Sequence, residues 1–118
     1  MEDLTYAEFS KVNRARAAYW HRDGDTWTGA DWSNAMCGEA GEAANVVKKL
    51  RRIETLVGQG PDDGTQEKLI KDLGYEIADT MTYLDLLANH YGINIEEVLI
   101  AKFNYISLRQ GVYELFSL

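Results

Sequence analysis

The amino-acid sequence predicts an all-α protein, and three observations lead to that prediction. The 118 residues contain a single proline, Pro61. No segment alternates Val, Ile or Thr with polar residues in the way that a half-buried strand would. Several long segments instead place apolar residues three and four positions apart, which is the spacing of one helix face. Because single domains peak at roughly 100–150 residues, we expect one all-α domain over residues 1–118.

A capping motif marks the start of the first predicted helix. Thr5 and Glu8 have the spacing of a capping box, in which each side chain accepts a hydrogen bond from the backbone N–H of the other residue. This helix is predicted to end near Trp20. Residues 21–29 hold two glycines and two aspartates, which is a composition typical of a loop.

The second predicted helix precedes a glycine-rich loop. Residues 34–53 are rich in Ala, Leu, Val, Glu, Lys and Arg, which are mostly good helix formers, and either Asp31 or Ser33 is the expected N-cap. Residues 57–64 concentrate Gly, Pro and Asp, so this segment is predicted to be a mobile loop.

Two further helices complete the predicted fold. A long helix is expected over residues 66–90, with Thr65 as its cap. Asn94 and Glu97 form a second capping motif, which predicts a fourth helix that reaches Arg109. Four helices with short connections predict a four-helix bundle.

The composition excludes several classes of function. Twelve Lys and Arg stand against 19 Asp and Glu, so the net charge of −7 disfavours general nucleic-acid binding. No apolar run approaches the roughly 18 residues of a membrane-spanning helix, so no membrane partner is expected. One cysteine, Cys37, excludes an internal disulfide, and the N-terminus is acidic where a signal peptide would be basic. We therefore expect a cytoplasmic protein in which Cys37 is a small buried apolar residue.

Two carboxylates of the second predicted helix are directed toward its apolar face. At about 100° per residue, Glu39 projects in nearly the same direction as Trp32 and Leu50. Glu42 follows three residues later at the edge of the same stripe, so its side chain can reach the same point in space.

The third predicted helix repeats this arrangement. Glu76 shares its direction with Leu69 and Leu87, and Asp79 follows three residues later at the edge of that face. Four anions in a low-dielectric bundle would repel one another by several kcal/mol unless protons or cations compensate them. Oxygen ligands favour Mg²⁺, with Mn²⁺ as a substitute, and neither pair ends in the histidine that a ferritin-like di-iron site requires. Surface carboxylates with lysine partners are the alternative.

Four segments in a fixed order resemble the motifs of the MazG-like nucleoside triphosphate pyrophosphohydrolases. They are WSNAMCGEAGE at 32–42, KKLRR at 48–52, EIAD at 76–79 and KFN at 102–104, and the resemblance extends over about residues 27–111. It implies an all-α, usually oligomeric enzyme that uses Mg²⁺ to hydrolyse a nucleoside triphosphate to the monophosphate and pyrophosphate.

The resemblance also implies roles for individual residues. It makes Glu39, Glu42, Glu76 and Asp79 the metal ligands and the catalytic residues. The chain departs from the family in a longer interval between Glu42 and Glu76, and in having Gly38 where some relatives carry an acid. The general base is therefore left open.

Four residues are candidates for binding substrate. Trp20, Trp27 and Trp32 can each stack on a base, and Trp32 is favoured because it is aligned with Glu39. Lys49 lies two helical turns beyond Glu42 and can reach a phosphate oxygen, or it can simply neutralise the helix C-terminus. The resemblance adds Lys102 and Asn104 as residues that contact substrate.

The sequence thus predicts hydrolysis of a nucleoside triphosphate, with deoxynucleoside triphosphates as the expected substrates. A narrower enzyme for dUTP or dCTP is one alternative. Another is a helical interaction module with a structural cation site and no turnover. The third predicted helix carries apolar residues on more than one face, so we expect a homo-oligomer, either a dimer or a tetramer.

Overall fold

The computed structural model describes residues 3–55 and 63–117, and within these ranges all regular structure is helical. The all-α prediction is confirmed. Four helices follow one another along the chain: α1 (Tyr6–Trp20), α2 (Gly29–Thr55), α3 (Asp63–His90) and α4 (Ile95–Arg109). In the part of the chain described, no helix combines the length and the apolar character needed to cross a bilayer.

The two predicted N-cap residues, Thr5 and Asn94, are confirmed. The Thr5 side chain accepts a hydrogen bond from the Glu8 backbone N–H at 3.1 Å, and α1 ends at Trp20 as expected. The Asn94 side chain accepts from the Glu97 backbone N–H at 3.2 Å, and α4 reaches Arg109. Both motifs act within four residues, so their outcome is independent of the rest of the fold.

The predicted start of α2 is wrong. Thr28, rather than Asp31 or Ser33, caps this helix: its side chain accepts from the Asp31 backbone N–H at 3.3 Å. The Asp31 carboxylate in turn accepts from the Thr28 backbone N–H at 2.8 Å, which completes a reciprocal capping box. This pairing holds the pKa of Asp31 below its usual range, because the hydrogen bonds from the Thr28 backbone and hydroxyl stabilise the carboxylate.

The start of α3 is also earlier than predicted. The helix begins at Asp63, so Thr65 lies inside its first turn rather than at its cap. The predicted mobile loop, 57–64, lies mainly outside the described residues, and the described helix already includes its last two positions.

The α2 and α3 helices form an antiparallel pair along which the candidate residues are arranged. Trp32 and Tyr83 contact each other with ring centroids 6.4 Å apart, while Glu39 and Glu76 meet through their carboxylates. Trp32 and Glu39 are seven residues apart on α2, and Glu76 and Tyr83 are seven residues apart on α3. The two contacts therefore define one antiparallel register. We call this contact the α2–α3 seam.

The α1 helix crosses the C-terminal half of α3 and completes a small core. Ala17, Trp32 and Leu86 are buried there. A buried polar group fixes the crossing: the Asp85 carboxylate accepts hydrogen bonds from the Tyr6 hydroxyl at 2.5 Å and from the Asn13 amide at 2.9 Å.

The single chain has an open shape. Its radius of gyration is 18.2 Å, whereas a compact chain of this length has a value of about 13.5 Å. The α4 helix makes few contacts with the other helices. Helices α1 to α3 therefore carry the core, and α4 extends away from it.

Candidate metal centre

Three carboxylates converge in the middle of the α2–α3 seam. Glu39 and Glu42 come from adjacent turns of α2, and Glu76 comes from the facing turn of α3. One oxygen atom from each residue lies within 4.8 Å of the other two. Three of the four predicted metal ligands are therefore brought together.

No ion pair within the described part of the chain compensates the charge of this group. The ion pairs formed within the described ranges join His21 to Asp25 and Lys68 to Asp72, so none involves the three glutamates. Glu39 and Glu76 are half-buried, and the Oε2 atom of Glu76 is buried without a hydrogen-bond partner. A buried carboxylate oxygen with no donor is costly, so the group requires a proton or a cation.

The surroundings of Glu76 favour its protonated form. Burial is the largest cause, and hydrogen bonding to Glu42 and Glu39 and repulsion by their charges add to it; together they raise the pKa of Glu76 to about 7. The carboxyl group of Glu76 thus changes its charge near neutral pH, where a cation can compete with the proton.

The donor set fits a hard divalent cation. Mg²⁺ binds oxygen ligands at about 2.0–2.1 Å in octahedral geometry, which separates the ligand atoms by about 3 to 4 Å. One oxygen atom from each of Glu39, Glu42 and Glu76 lies within 4.8 Å of the others, so small side-chain adjustments bring them to that spacing. Glu42 is exposed, so solvent or a phosphate group has access to the remaining coordination positions.

The fourth predicted ligand lies outside this group. Asp79 is exposed on α3, one turn beyond Glu76. Its spacing of three residues from Glu76 keeps it on an adjacent part of the helix surface, from which a side-chain rotation would bring its carboxylate toward the group.

Trp32, which lies two helical turns, or about 10 Å, before Glu39 along α2, lines an aromatic cavity. Trp32 is buried, and its ring lies 4.6 Å from Trp27 and 5.5 Å from His21, measured between centroids. A cavity of about 570 Å³ opens between α1, α3 and the segment that joins α1 to α2. Its polar lining includes Arg14, His21, Asp25, Asn89 and His90.

The sequence favoured Trp32 over Trp27 as the residue that stacks on a base, and it gave no indication of His21. Trp32 lines the cavity, as expected of a base-stacking residue, although most of its ring surface is used in packing. Trp27 and His21 are less buried than Trp32, and both belong to the 21–29 segment that its composition marked only as a loop. The aromatic residues within that segment were the available signal.

The other three substrate candidates are not brought to the carboxylates. Lys49 is exposed on α2, and the Lys102 ammonium lies 5.6 Å from the ring of Tyr105 on its own helix. Asn104 holds the C-terminal segment: its amide donates to the Phe116 carbonyl at 2.9 Å and accepts from the Phe116 N–H at 2.8 Å.

The prediction that Cys37 is buried is wrong. Its thiol is exposed on α2, because the neighbouring turn of α3 covers only the face that carries Trp32 and Glu39. A residue that would be buried in a closed bundle is open to solvent in this chain.

A comparison of the chain with models of known protein families, with curated proteins and with solved structures finds no match. Any assignment of activity therefore depends on the chemistry of the carboxylates and the aromatic cavity, together with the resemblance of the motifs.

Proposed function

We propose that the protein is a MazG-like pyrophosphohydrolase, which cleaves a nucleoside triphosphate to the monophosphate and pyrophosphate in the presence of Mg²⁺. Deoxynucleoside triphosphates are the expected substrates. One observation supports this most directly: three converging carboxylates, one with a buried and unpartnered oxygen atom, lie on the same seam as Trp32, which lines an aromatic cavity.

Glu39, Glu42 and Glu76 would hold the cation, with Mn²⁺ as a substitute for Mg²⁺. Asp79 would become a further ligand after rotation of its side chain. When bound, Mg²⁺ supplies positive charge against the phosphate oxygens and lowers the pKa of a nearby water molecule. A carboxylate oxygen of Glu39 or Glu42 that is not used in ligation would accept the proton of the attacking water.

The order of residues along α2 supports a nucleotide substrate. Trp32 lies about two turns before Glu39, and Lys49 lies about two turns after Glu42. A base in the aromatic cavity would thus be followed by the triphosphate at the carboxylates, and Lys49 would contact the terminal phosphate oxygens. Stacking on Trp32 and Trp27 would hold the base, and the polar lining would select among bases.

Product analysis tests this proposal. The purified protein is incubated with each nucleoside and deoxynucleoside triphosphate in Mg²⁺, in Mn²⁺ and in EDTA, and the products are separated by chromatography. We expect monophosphate and pyrophosphate in both metals, none in EDTA, and higher rates with the deoxynucleotides. Release of diphosphate and inorganic phosphate would contradict the proposed bond cleavage.

The second candidate is an interaction module with a structural cation site. The large exposed apolar surface favours it, because such surfaces mark contacts with other proteins. The two candidate functions differ in whether the protein hydrolyses a triphosphate. Both include association with other chains, since we also propose that the working form is a homo-oligomer. Cation binding without hydrolysis of any triphosphate would support the module.

A further inference from the structure

The aromatic cavity contains a histidine whose ring is held by a carboxylate. The Nδ1 atom of His21 lies 3.1 Å from an oxygen atom of the Asp25 carboxylate. Between the two residues the chain turns at Gly24, whose φ of 87° lies in the left-handed region that favours glycine. Both His21 and Asp25 line the cavity. Five consecutive residues thus place an oriented imidazole at the cavity wall.

The Asp25 carboxylate determines which nitrogen atom of the His21 ring carries the proton. An ionised carboxylate only accepts hydrogen bonds, so Nδ1 is the donor in this pair. In the neutral ring the other nitrogen, Nε2, then has a free lone pair and accepts a hydrogen bond. Nε2 forms no hydrogen bond within the described part of the chain. His21 therefore offers an acceptor that no described residue uses.

The imidazole of His21 lies beside the stacking surface of the cavity rather than parallel to it. Its plane is inclined by 69° to the indole rings of Trp27 and Trp32, and the centroids are 5.2 and 5.5 Å apart. The His21 side chain is only 17% exposed. A base that stacks on an indole ring can thus meet the imidazole with its edge, and the edges are where bases differ in donors and acceptors.

A second polar group of the cavity can complement the acceptor of His21. Asn89, on α3, lines the same cavity, and its side-chain amide forms no hydrogen bond to any residue that the structure describes. An amide N–H donates to a carbonyl oxygen. The cavity therefore combines an acceptor from the segment after α1 with a donor from α3.

We propose that His21, oriented by Asp25, selects bases in which a ring N–H group is bonded to a carbonyl carbon. Uracil, thymine, guanine and hypoxanthine contain this group, whereas the corresponding ring nitrogen of cytosine or adenine is an acceptor. Nε2 accepts the hydrogen bond from the ring N–H, and the Asn89 amide donates to the carbonyl oxygen. Cytosine and adenine would instead place two lone pairs against each other. The inference rests on the proposed function, because that function makes the ligand of the cavity a nucleotide.

The first experiment compares substrates on the unmodified chain at about pH 8.5, where histidine side chains are neutral. It measures kcat/KM for dUTP, dGTP, dCTP, dATP and dUTP methylated at N3. We expect dUTP and dGTP to exceed dCTP and dATP by about tenfold or more, because a site built around a hydrogen bond rejects a substrate that cannot form it. Methylation at N3 removes the N–H group and should lower kcat/KM by a similar factor. The ratio of dUTP to dGTP shows whether a single or a double ring is preferred.

Two variants separate the selecting residue from the positioning residue. His21→Phe keeps an aromatic ring against Trp27 but removes both nitrogen atoms, so the ratio of kcat/KM for dUTP to that for dCTP should fall to near one. Asp25→Ala frees the imidazole to carry its proton on Nε2, so the same ratio should fall although His21 is present. A purely structural role would lower both values of kcat/KM alike and leave their ratio unchanged. Asp23→Ala is the matched control, because Asp23 is an exposed residue of the same segment whose side chain forms no hydrogen bond in the described ranges.

A binding measurement distinguishes the failure of this inference from the failure of the proposed hydrolysis. Quenching of tryptophan fluorescence by deoxyuridine, 3-methyldeoxyuridine and deoxycytidine reports stacking in the cavity without metal or turnover. Stronger binding of deoxyuridine, with no hydrolysis of any triphosphate, would refute the hydrolase and support the selection of bases. Hydrolysis of dCTP and of N3-methylated dUTP as fast as dUTP would overturn the inference and support the hydrolase. Neither quenching nor hydrolysis would overturn both.

Discussion

The α2–α3 seam and the C-terminal arm, which consists of α4 and residues 110–117, depart from the usual distribution of side chains in opposite directions. The seam brings three glutamates together within and at the edge of a stripe that is otherwise apolar, and they form no ion pair among the described residues. The arm places large apolar side chains in solvent. A charge without a counter-charge requires a ligand, and an apolar face without cover requires a partner. The two regions thus indicate two different kinds of interaction.

The largest expected effect is the loss of cation binding on removal of the Glu76 charge. Glu76→Gln keeps the size of the side chain but removes a ligand, so Mg²⁺ affinity and turnover should fall by more than the roughly 10–100-fold that outer-shell partners of metals cost. Isothermal titration of Mg²⁺ and product analysis measure the two quantities.

Two variants on the same helix serve as comparisons for Glu76→Gln. Glu67→Gln changes an exposed glutamate of α3 outside the seam, and it should leave both quantities unchanged. Asp79→Asn should have an intermediate effect, because Asp79 reaches the group only after a rotation. Equal turnover by Glu76→Gln and by the unmodified chain would show that the seam takes no part in hydrolysis.

The next effect concerns the stability of the seam. Trp32 is 9% exposed and packs against three other rings, so Trp32→Ala should lower the free energy of unfolding by about 3 kcal/mol through loss of contacts and creation of a cavity. Trp20→Ala is the control: Trp20 is 49% exposed and contacts mainly the Arg16 guanidinium, so its removal should cost under about 1 kcal/mol. Urea unfolding followed by circular dichroism measures both.

The two regions also differ in how far the sequence predicts them. Helical periodicity placed Glu39 with Glu42 and Glu76 with Asp79, because residues three apart share a face whatever surrounds them. Residues three apart in sequence likewise predicted the N-caps Thr5 and Asn94. The Thr28–Asp31 capping box was equally local, but the glycines and aspartates around it led to the prediction of a loop.

Tertiary contacts explain what the sequence could not predict. The hydrogen bonds between Asn104 and the Phe116 backbone form because the chain reverses its direction after α4. Helical periodicity does not predict that reversal. The exposure of Cys37 and Asp79 depends on which side of each helix its neighbour covers. Such features follow from the arrangement of whole helices, so a pattern within one helix cannot reveal them.

A third prediction concerns the pH dependence of the seam. The pKa of Glu76 is raised to about 7 from an ordinary value of 4.5, so without metal its contribution to stability is present below pH 4.5 and is lost as the pH rises through about 7. Bound Mg²⁺ requires the ionised carboxylate. The rise in melting temperature on adding Mg²⁺ should therefore increase with pH through about 7.

Thermal melts with and without Mg²⁺, well below and well above pH 7, measure this dependence. Glu76→Gln is the matched control, because its side chain does not ionise, and its response to Mg²⁺ should vary little across this range. An Mg²⁺-induced shift of the same size on both sides of pH 7 in the unmodified chain would contradict the prediction.

The smallest effect belongs to the arm, and it separates two roles for Asn104. Asn104→Ala removes both hydrogen bonds to Phe116, and their exposure limits the cost to about 1 kcal/mol. The Phe116 N–H should then exchange with deuterium faster, while turnover of the triphosphate stays within about twofold. Asn34→Ala is the control, because Asn34 is an exposed asparagine of α2 whose side chain forms no hydrogen bond among the described residues. Unchanged exchange at Phe116 with a large loss of turnover would instead assign Asn104 to the substrate, as the motif resemblance implies, and the arm would then belong to the site rather than to the assembly.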